Sequence, residues 1–246
     1  MSAKRYGSVV VVGIALAVLC IGSAAQGAVI YQENFNSYGD GTLMTAVPGW
    51  YNWTSYGGVS PTIIGGKAII DSGKAYMALN MTDIFSYGNT QATIEFDLKS
   101  YQQEDFRFGP GTVTPGSQSS VSSQSIGFQH GSNLLYHTNG AFDYGSQVTN
   151  VPNPLTSHWV WSLSKAGTLV TWSATYDGNP LLLQGDGTHS LNITDARGFN
   201  TMRWYTLGAS MSELDNIVIT AIPEPATMSL LALGGVSALI RRRNRR

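Results

Sequence analysis

The sequence predicts an all-β protein whose body is an antiparallel β-sandwich, and three observations carry this. Between Ala28 and Ile222 no long apolar segment repeats at the 3.6-residue period of a helix. The same stretch is divided into short runs rich in Val, Ile, Thr and aromatic residues, bounded by Gly, Asn, Asp, Pro and Ser. Of 246 residues only 12% are charged and 28 are glycine, so hydroxyl and amide side chains must wet the surface and the chain must turn often. About a dozen strands with no helix pattern between them fit two packed antiparallel sheets rather than an α/β fold.

In chain order, a strand is expected at Val29–Phe35, followed by a loop-like stretch from Pro48 to Pro61. Lys67–Asp71 and Ala75–Asn80 come next, then Ala92–Tyr101, whose Ile94, Phe96 and Leu98 alternate with polar neighbours at the period of a half-buried strand. Asp105–Phe108 precedes a polar run, Gly111 to Ser125, read as an exposed loop; Ser125–Gln129, Leu134–Thr138 and Ala141–Val148 follow it. The clearest hairpin joins His158–Ser164 to Leu169–Tyr176 through Lys165-Ala166-Gly167, with Trp159, Trp161 and Leu163 alternating on one arm. Asp177-Gly178-Asn179-Pro180 supplies the next turn, because Gly and Asn tolerate positive φ. Leu181–Gln184, Met202–Leu207 and Leu214–Ala221 complete the set.

The two ends are addresses rather than fold. Lys4 and Arg5 precede the 13-residue apolar run Val9 to Ile21, and small residues follow it. That order is a secretory signal peptide over residues 1–27, a short helix cut between Ala25 and Ala28 by a signal peptidase after delivery to the Sec machinery. The sole cysteine, Cys20, leaves with it, so the exported body has no disulfide, thiol nucleophile or thiolate metal site. At the other end Pro223, Glu224 and Pro225 lead into the apolar run Met228 to Ile240 and then Arg241, Arg242, Arg243, Arg245 and Arg246. Arginines hold to the cytoplasmic side, so these five set orientation and stop transfer. Thirteen residues rise only ~20 Å as a helix against a ~30 Å hydrocarbon core, a span suited to transient anchoring.

This ordered tail, residues 222–246, resembles the bacterial PEP-CTERM protein-sorting signal. The resemblance implies that a membrane peptidase of the exosortase type recognises Pro223-Glu224-Pro225, removes the tail and passes the protein to the cell surface or extracellular matrix. Fragments across the body, residues 28–221, resemble concanavalin-A-like and laminin-G-like jelly-roll modules: Glu33-Asn34-Phe35 with Tyr38, Gly41-Thr42-Leu43, Gly49-Trp50, Ile94-Glu95-Phe96-Asp97, Tyr176-Asp177-Gly178 and the strand beginning Leu214-Asp215-Asn216. This second resemblance speaks for fold and not for a ligand.

The body offers little chemistry. Glu95 and Asp97 share a strand face, as paired carboxylates of glycosidases do, but the third acid of a Glu-x-Asp-x-x-Glu pattern falls on Ser100. Glu95 and Asp97 therefore read as part of a solvated polar face. His130, His137, His158 and His189 lack ligand spacing and read as surface or turn residues, so no metal site is assigned. No cofactor is expected; Asp177-Gly178-Asn179, Asp186-Gly187 and Asp215-Asn216 leave room for a structural calcium, although turn chemistry explains them as well. Trp50, Tyr51, Trp53 and Tyr56 cluster in the Pro48–Pro61 stretch and are the candidate glycan platform, against the plainer reading that Trp50 and Trp53 plug an open end of the sandwich.

Lys4, Arg5 and the tail arginines are half of the 14 basic residues, so Ala28–Ile222 keeps seven basic against fourteen acidic ones, a net of −7. That excludes nucleic acid and makes neutral glycans better ligands than anionic ones. The expectation is an exported, non-catalytic structural or adhesive protein, with a lectin-like module binding extracellular polysaccharide as one alternative and a polysaccharide-cleaving glycosidase as another.

Overall fold

A computed structural model of the chain describes residues 27–52, 60–70, 75–100, 104–113, 120–121, 124–130, 134–138, 141–148, 155–180, 189–206 and 211–223. These form two large antiparallel sheets and contain no α-helix. The first sheet has nine strands. They are β1 (Ala28–Glu33), β3 (Thr62–Ile64), β4 (Lys67–Ile70), β6 (Asn89–Ser100), β13 (Leu155–Ala166), β14 (Leu169–Tyr176), β15 (Asn179–Pro180), β16 (His189–Asn192) and β18 (Ser212–Pro223). Its order is β15-β14-β13-β6-β18-β4-β3, with β1 also on β18 and β16 also on β14. The strands of the second sheet are β2 (Trp50–Asn52), β5 (Ala75–Asn80), β7 (Glu104–Gly109), β10 (Ile126–His130), β11 (Leu134–Thr138), β12 (Ala141–Val148) and β17 (Thr201–Thr206). They run in the order β12-β11-β10-β7-β17-β5-β2. A two-stranded ribbon joins β8 (Gly111–Thr112) to β9 (Ser120–Val121) within the stretch expected to be loop.

Alternation explains the long strands. In β6 Ala92, Ile94, Phe96 and Leu98 are buried while Glu95, Asp97 and Lys99 remain partly accessible on the other face. Trp159, Trp161 and Leu163 of β13 repeat the pattern beside them, in register with Phe96, Ile94 and Ala92. The core they build is aromatic. Phe96 stacks on Phe106 of the opposite sheet at 4.3 Å between ring centres, and Phe128 stacks on Trp159 at 4.4 Å. Trp161 meets Phe96 and Phe106 edge-on at 5.5 and 5.7 Å. Such offset and edge contacts bury large rings without opposing their quadrupoles.

The turns obey local chemistry. Asp177 and Gly178 both take positive φ (49° and 75°), the two-residue geometry whose twist matches the flanking strands. Three short strands, β2, β3 and β16, stand where no strand is expected from the sequence; each is only three or four residues long, too short for alternation to register. The strand expected at 181–184 lies outside the described residues, as do the apolar runs at both chain ends. No helix among the described residues is long and apolar enough to cross a membrane.

Candidate functional site

Strand β6 lies at the middle of the first sheet, between β13 and β18, so its outward side chains face partners from two directions. Register puts His158 opposite Asp97 on one side and Asp215 opposite it on the other. Two residues along, Thr156, Lys99 and Glu213 form a second row. These two rows, with Lys67, Ser157, Asp177 and Asn216, line an open cleft of about 580 Å³ on the outer face of the sheet.

Hydrogen bonds fix the cleft's floor. Asp97 Oδ1 accepts from His158 Nδ1 at 2.7 Å, and its Oδ2 accepts from Asn216 Nδ2 at 2.7 Å. Asn216 sits in a bulge between Asp215 and Val218 with φ of 50°, a left-handed conformation that Asn adopts more readily than most residues. Its backbone N–H donates to Asp215 Oδ1 at 2.7 Å. Asp177 Oδ1 accepts the His158 backbone N–H at 2.8 Å, tying the β14–β15 turn to the cleft. Glu213 receives Lys99 Nζ at 2.7 Å and Lys67 Nζ at 3.3 Å.

The carboxyl groups are not alike. Partial burial pushes the Asp215 carboxyl above the usual aspartate range; the Asn216 N–H opposes this and the Asp97 charge adds to it. Burial also acts against Glu213, but the Lys99 and Lys67 contacts outweigh it and hold that carboxyl below its usual range. Two carboxyl groups therefore face each other across the β6–β18 pair, Asp97 and an Asp215 whose burial favours the protonated form more than in a free aspartate.

Ser100 does not belong to this face. It points inward, where its hydroxyl donates to Glu104 and accepts from His130 Nδ1, with Glu104 Oε2 3.7 Å from that nitrogen. All three are at most 1% exposed. The serine lies between base and acid instead of at the end of a relay, and substrate cannot reach it, so this cluster is no nucleophile. The expectation of a surface or turn position for His130 is thereby corrected: it continues the inward series Ile126, Phe128, His130 along β10. That i, i+2, i+4 pattern is the signal that places it, hidden where the expected strand stops at Gln129.

The aromatic platform is also corrected in part. Trp50 is 1% exposed in the core, its Nε1 donating to the Tyr31 hydroxyl at 2.8 Å, so its ring faces are covered by protein. Tyr51 is half-buried, and Trp53 and Tyr56 lie outside the described residues. Among the described residues no group of three or more His, Cys, Asp or Glu side chains is arranged to hold a metal. Asp177 and Asn216 instead complete turns and the cleft floor, and Asp186 lies outside the described residues. Pro223 is the last described residue; Glu224, Pro225 and Arg241, Arg242, Arg243, Arg245 and Arg246 lie beyond it.

Two packed antiparallel sheets in this order define a concanavalin-like jelly-roll sandwich. The body is similar to an endo-1,3-beta-glucanase from Streptomyces sioyaensis, at 10% identity over 82% of this chain and 99% of that one, with a TM-score of 0.53. Weaker likenesses include the Rhodothermus marinus laminarinase (13% identity, 81% and 99% coverage, TM-score 0.48) and the T. cruzi calreticulin globular domain (11%, 89% and 100%, 0.47). Identities this low speak for the fold and not the chemistry. No curated protein matches the chain in sequence. Residues 221–246 match the PEP-CTERM protein-sorting motif. The tail marks an exported protein, transiently anchored at the membrane, whose processing partner is an exosortase.

Proposed function

We propose that the exported body is a non-catalytic adhesive component of the cell surface or extracellular matrix, holding neutral polysaccharide in the cleft around Asp97. Sec export and signal-peptide removal precede exosortase sorting in this reading. The observation that supports it is the cleft floor itself: Asp97, His158, Asp215 and Asn216 present fixed donors and acceptors at the spacing of neighbouring strands, about 5 Å, which suits sugar hydroxyls separated by one intervening ring carbon. The body's net charge of −7 argues against polyuronates as ligands. Titration of the protein with soluble neutral β-glucans and with alginate tests this. Binding of a neutral glucan that is lost at least tenfold in Asp97→Ala, with no binding of alginate, is the expected outcome; equal affinity in the variant would refute the site.

A second reading, polysaccharide hydrolysis, draws on one observation. Position 100 supplies no acid, but register sets the Asp215 carboxyl beside Asp97 from the neighbouring strand, and partial burial moves its pKa upward, the direction a general acid needs. Reducing-sugar release from the same glucans, abolished in Asp215→Asn with binding retained, would favour hydrolysis over adhesion.

A further inference from the structure

Strand β18 runs to Pro223, which pairs with Asn89 at the start of β6, so the first residue of the Pro-Glu-Pro motif is still part of the sheet. Only Glu224, Pro225, Ala226 and Thr227 separate it from the apolar run beginning at Met228. Four intervening residues span at most about 18 Å fully extended, so while the tail is in the bilayer this end of the sandwich is pressed close to the headgroups. The same end receives the other terminus, because Ala28 pairs with Ala221.

We propose that this end is a lipid-docking surface that seats the sandwich upright on the outer face of the membrane before the tail is removed. The proposal rests on the transient anchoring that the sorting tail implies. Among the described residues five large apolar side chains are exposed, and three of them lie toward this end: Tyr87 (89%), Leu169 (40%) and, three residues in from the end of β18 by register, Val29 (57%). Strand order places them in one row: the β13–β14 hairpin with Leu169, then Tyr87 two residues before β6, then the end of β18, then Val29 on β1. Tyr87 holds φ of 60°, a conformation unfavourable for a bulky residue, and is nevertheless almost wholly exposed. Tyrosine with one apolar and one wet end suits the headgroup level, and Lys165 in the same hairpin adds a cation beside the Phe85 ring, 5.4 Å from its centre.

Two acidic side chains near this end are engaged by the protein itself. Asp83 accepts the backbone N–H groups of Phe85 and Phe199 at 3.1 and 2.8 Å, and Asp195 is paired with Arg197. The unevenly charged cleft is held away: Asp97 lies eight residues along β6 from Asn89, about 26 Å at the rise of a strand. Three apolar side chains bind a bilayer weakly alone, but the tether turns docking into an intramolecular event at high effective concentration.

The test uses the tail-bearing, signal-cleaved protein from an exosortase-deficient host, floated with vesicles of phosphatidylethanolamine and phosphatidylglycerol carrying a nitroxide-labelled lipid. Cys20 leaves with the signal peptide, so a fluorophore can be placed uniquely at Thr168→Cys near the proposed surface or at Thr156→Cys toward the far end. The expected result is several-fold stronger quenching at position 168 than at 156, a difference removed by Tyr87→Ser with Leu169→Ser while flotation persists. Equal quenching at both positions overturns the proposal. Quenching at 168 that appears only when exosortase is added overturns it too and assigns the surface to the peptidase. Failure of the protein to float removes the anchoring itself, and the docking proposal falls with that reading.

Discussion

Tyr31 and Trp50 show how one polar contact can tie the two sheets. Tyr31 belongs to β1 and Trp50 to β2, on opposite sheets, and the indole N–H reaches the phenol across the sandwich's flank. Burial pushes the Tyr31 phenol well above its ordinary pKa, so it stays a neutral hydroxyl at all working pH values. Tyr31→Phe strands a buried indole donor and is expected to cost about 1–3 kcal/mol in urea unfolding, whereas adding Trp50→Phe should recover the hydrogen-bonding part of that loss. Glu213 sets a pH-dependent increment. Its folded pKa lies below the unfolded one, so the stability it contributes is present above the ordinary glutamate range and is lost as pH falls through the folded value. Lys99→Met should therefore destabilise by about 0.5–1 kcal/mol at pH 7, with the gap to the parent closing in acid unfolding curves. Neither contact is visible in sequence: Lys99 and Glu213 are 114 residues apart, and Trp50 stands in what reads as a loop.

At the level of strands, sequence legibility follows length. β6, β13 and β18 each span 12 residues; apolar residues alternating with polar ones mark the first two in the sequence, and the apolar-rich stretch after Asn216 marks the third, whose alternation a bulge interrupts. β2 and β16 escape because three or four residues do not establish a period. The cleft is half legible: alternation puts Asp97 on the outer face with Glu95, while Asp215 and His158 join Asp97 only through the order β13-β6-β18, which local patterns do not encode. Ser100, which reads as a missing acid, is on the opposite face altogether, so an acid there would not have joined the pair. The aromatic strand centre makes a sharp prediction. Trp161 is 1% exposed and its indole N–H has no hydrogen-bond partner among the described residues. In urea unfolding Trp161→Ala should cost about 3–5 kcal/mol, and Trp161→Phe less than about 1.5, since it keeps most of the ring packing and removes an unpaired donor.

For the whole molecule, sorting and folding meet at Pro223. The last strand lies at the heart of the larger sheet, bonded to β6, β1 and β4, and the sorting motif starts on its final residue. Replacing Pro223-Glu224-Pro225 with Ala-Ala-Ala is expected to leave a folded, full-length, membrane-retained protein in a host that carries exosortase, read by mass spectrometry of the membrane fraction; tail removal at the parental rate would refute the role of the motif.

Placing the central strand last has a consequence for biosynthesis. Until residues 212–223 have left the ribosome, β6, β1 and β4 lack the neighbour that joins them, and pairing of Ala28 with Ala221 must close almost the entire chain. A nascent chain in the cytoplasm is therefore unable to complete its larger sheet. On the proposed Sec route, which carries unfolded polypeptide, the piece that finishes the fold crosses just ahead of the sorting tail.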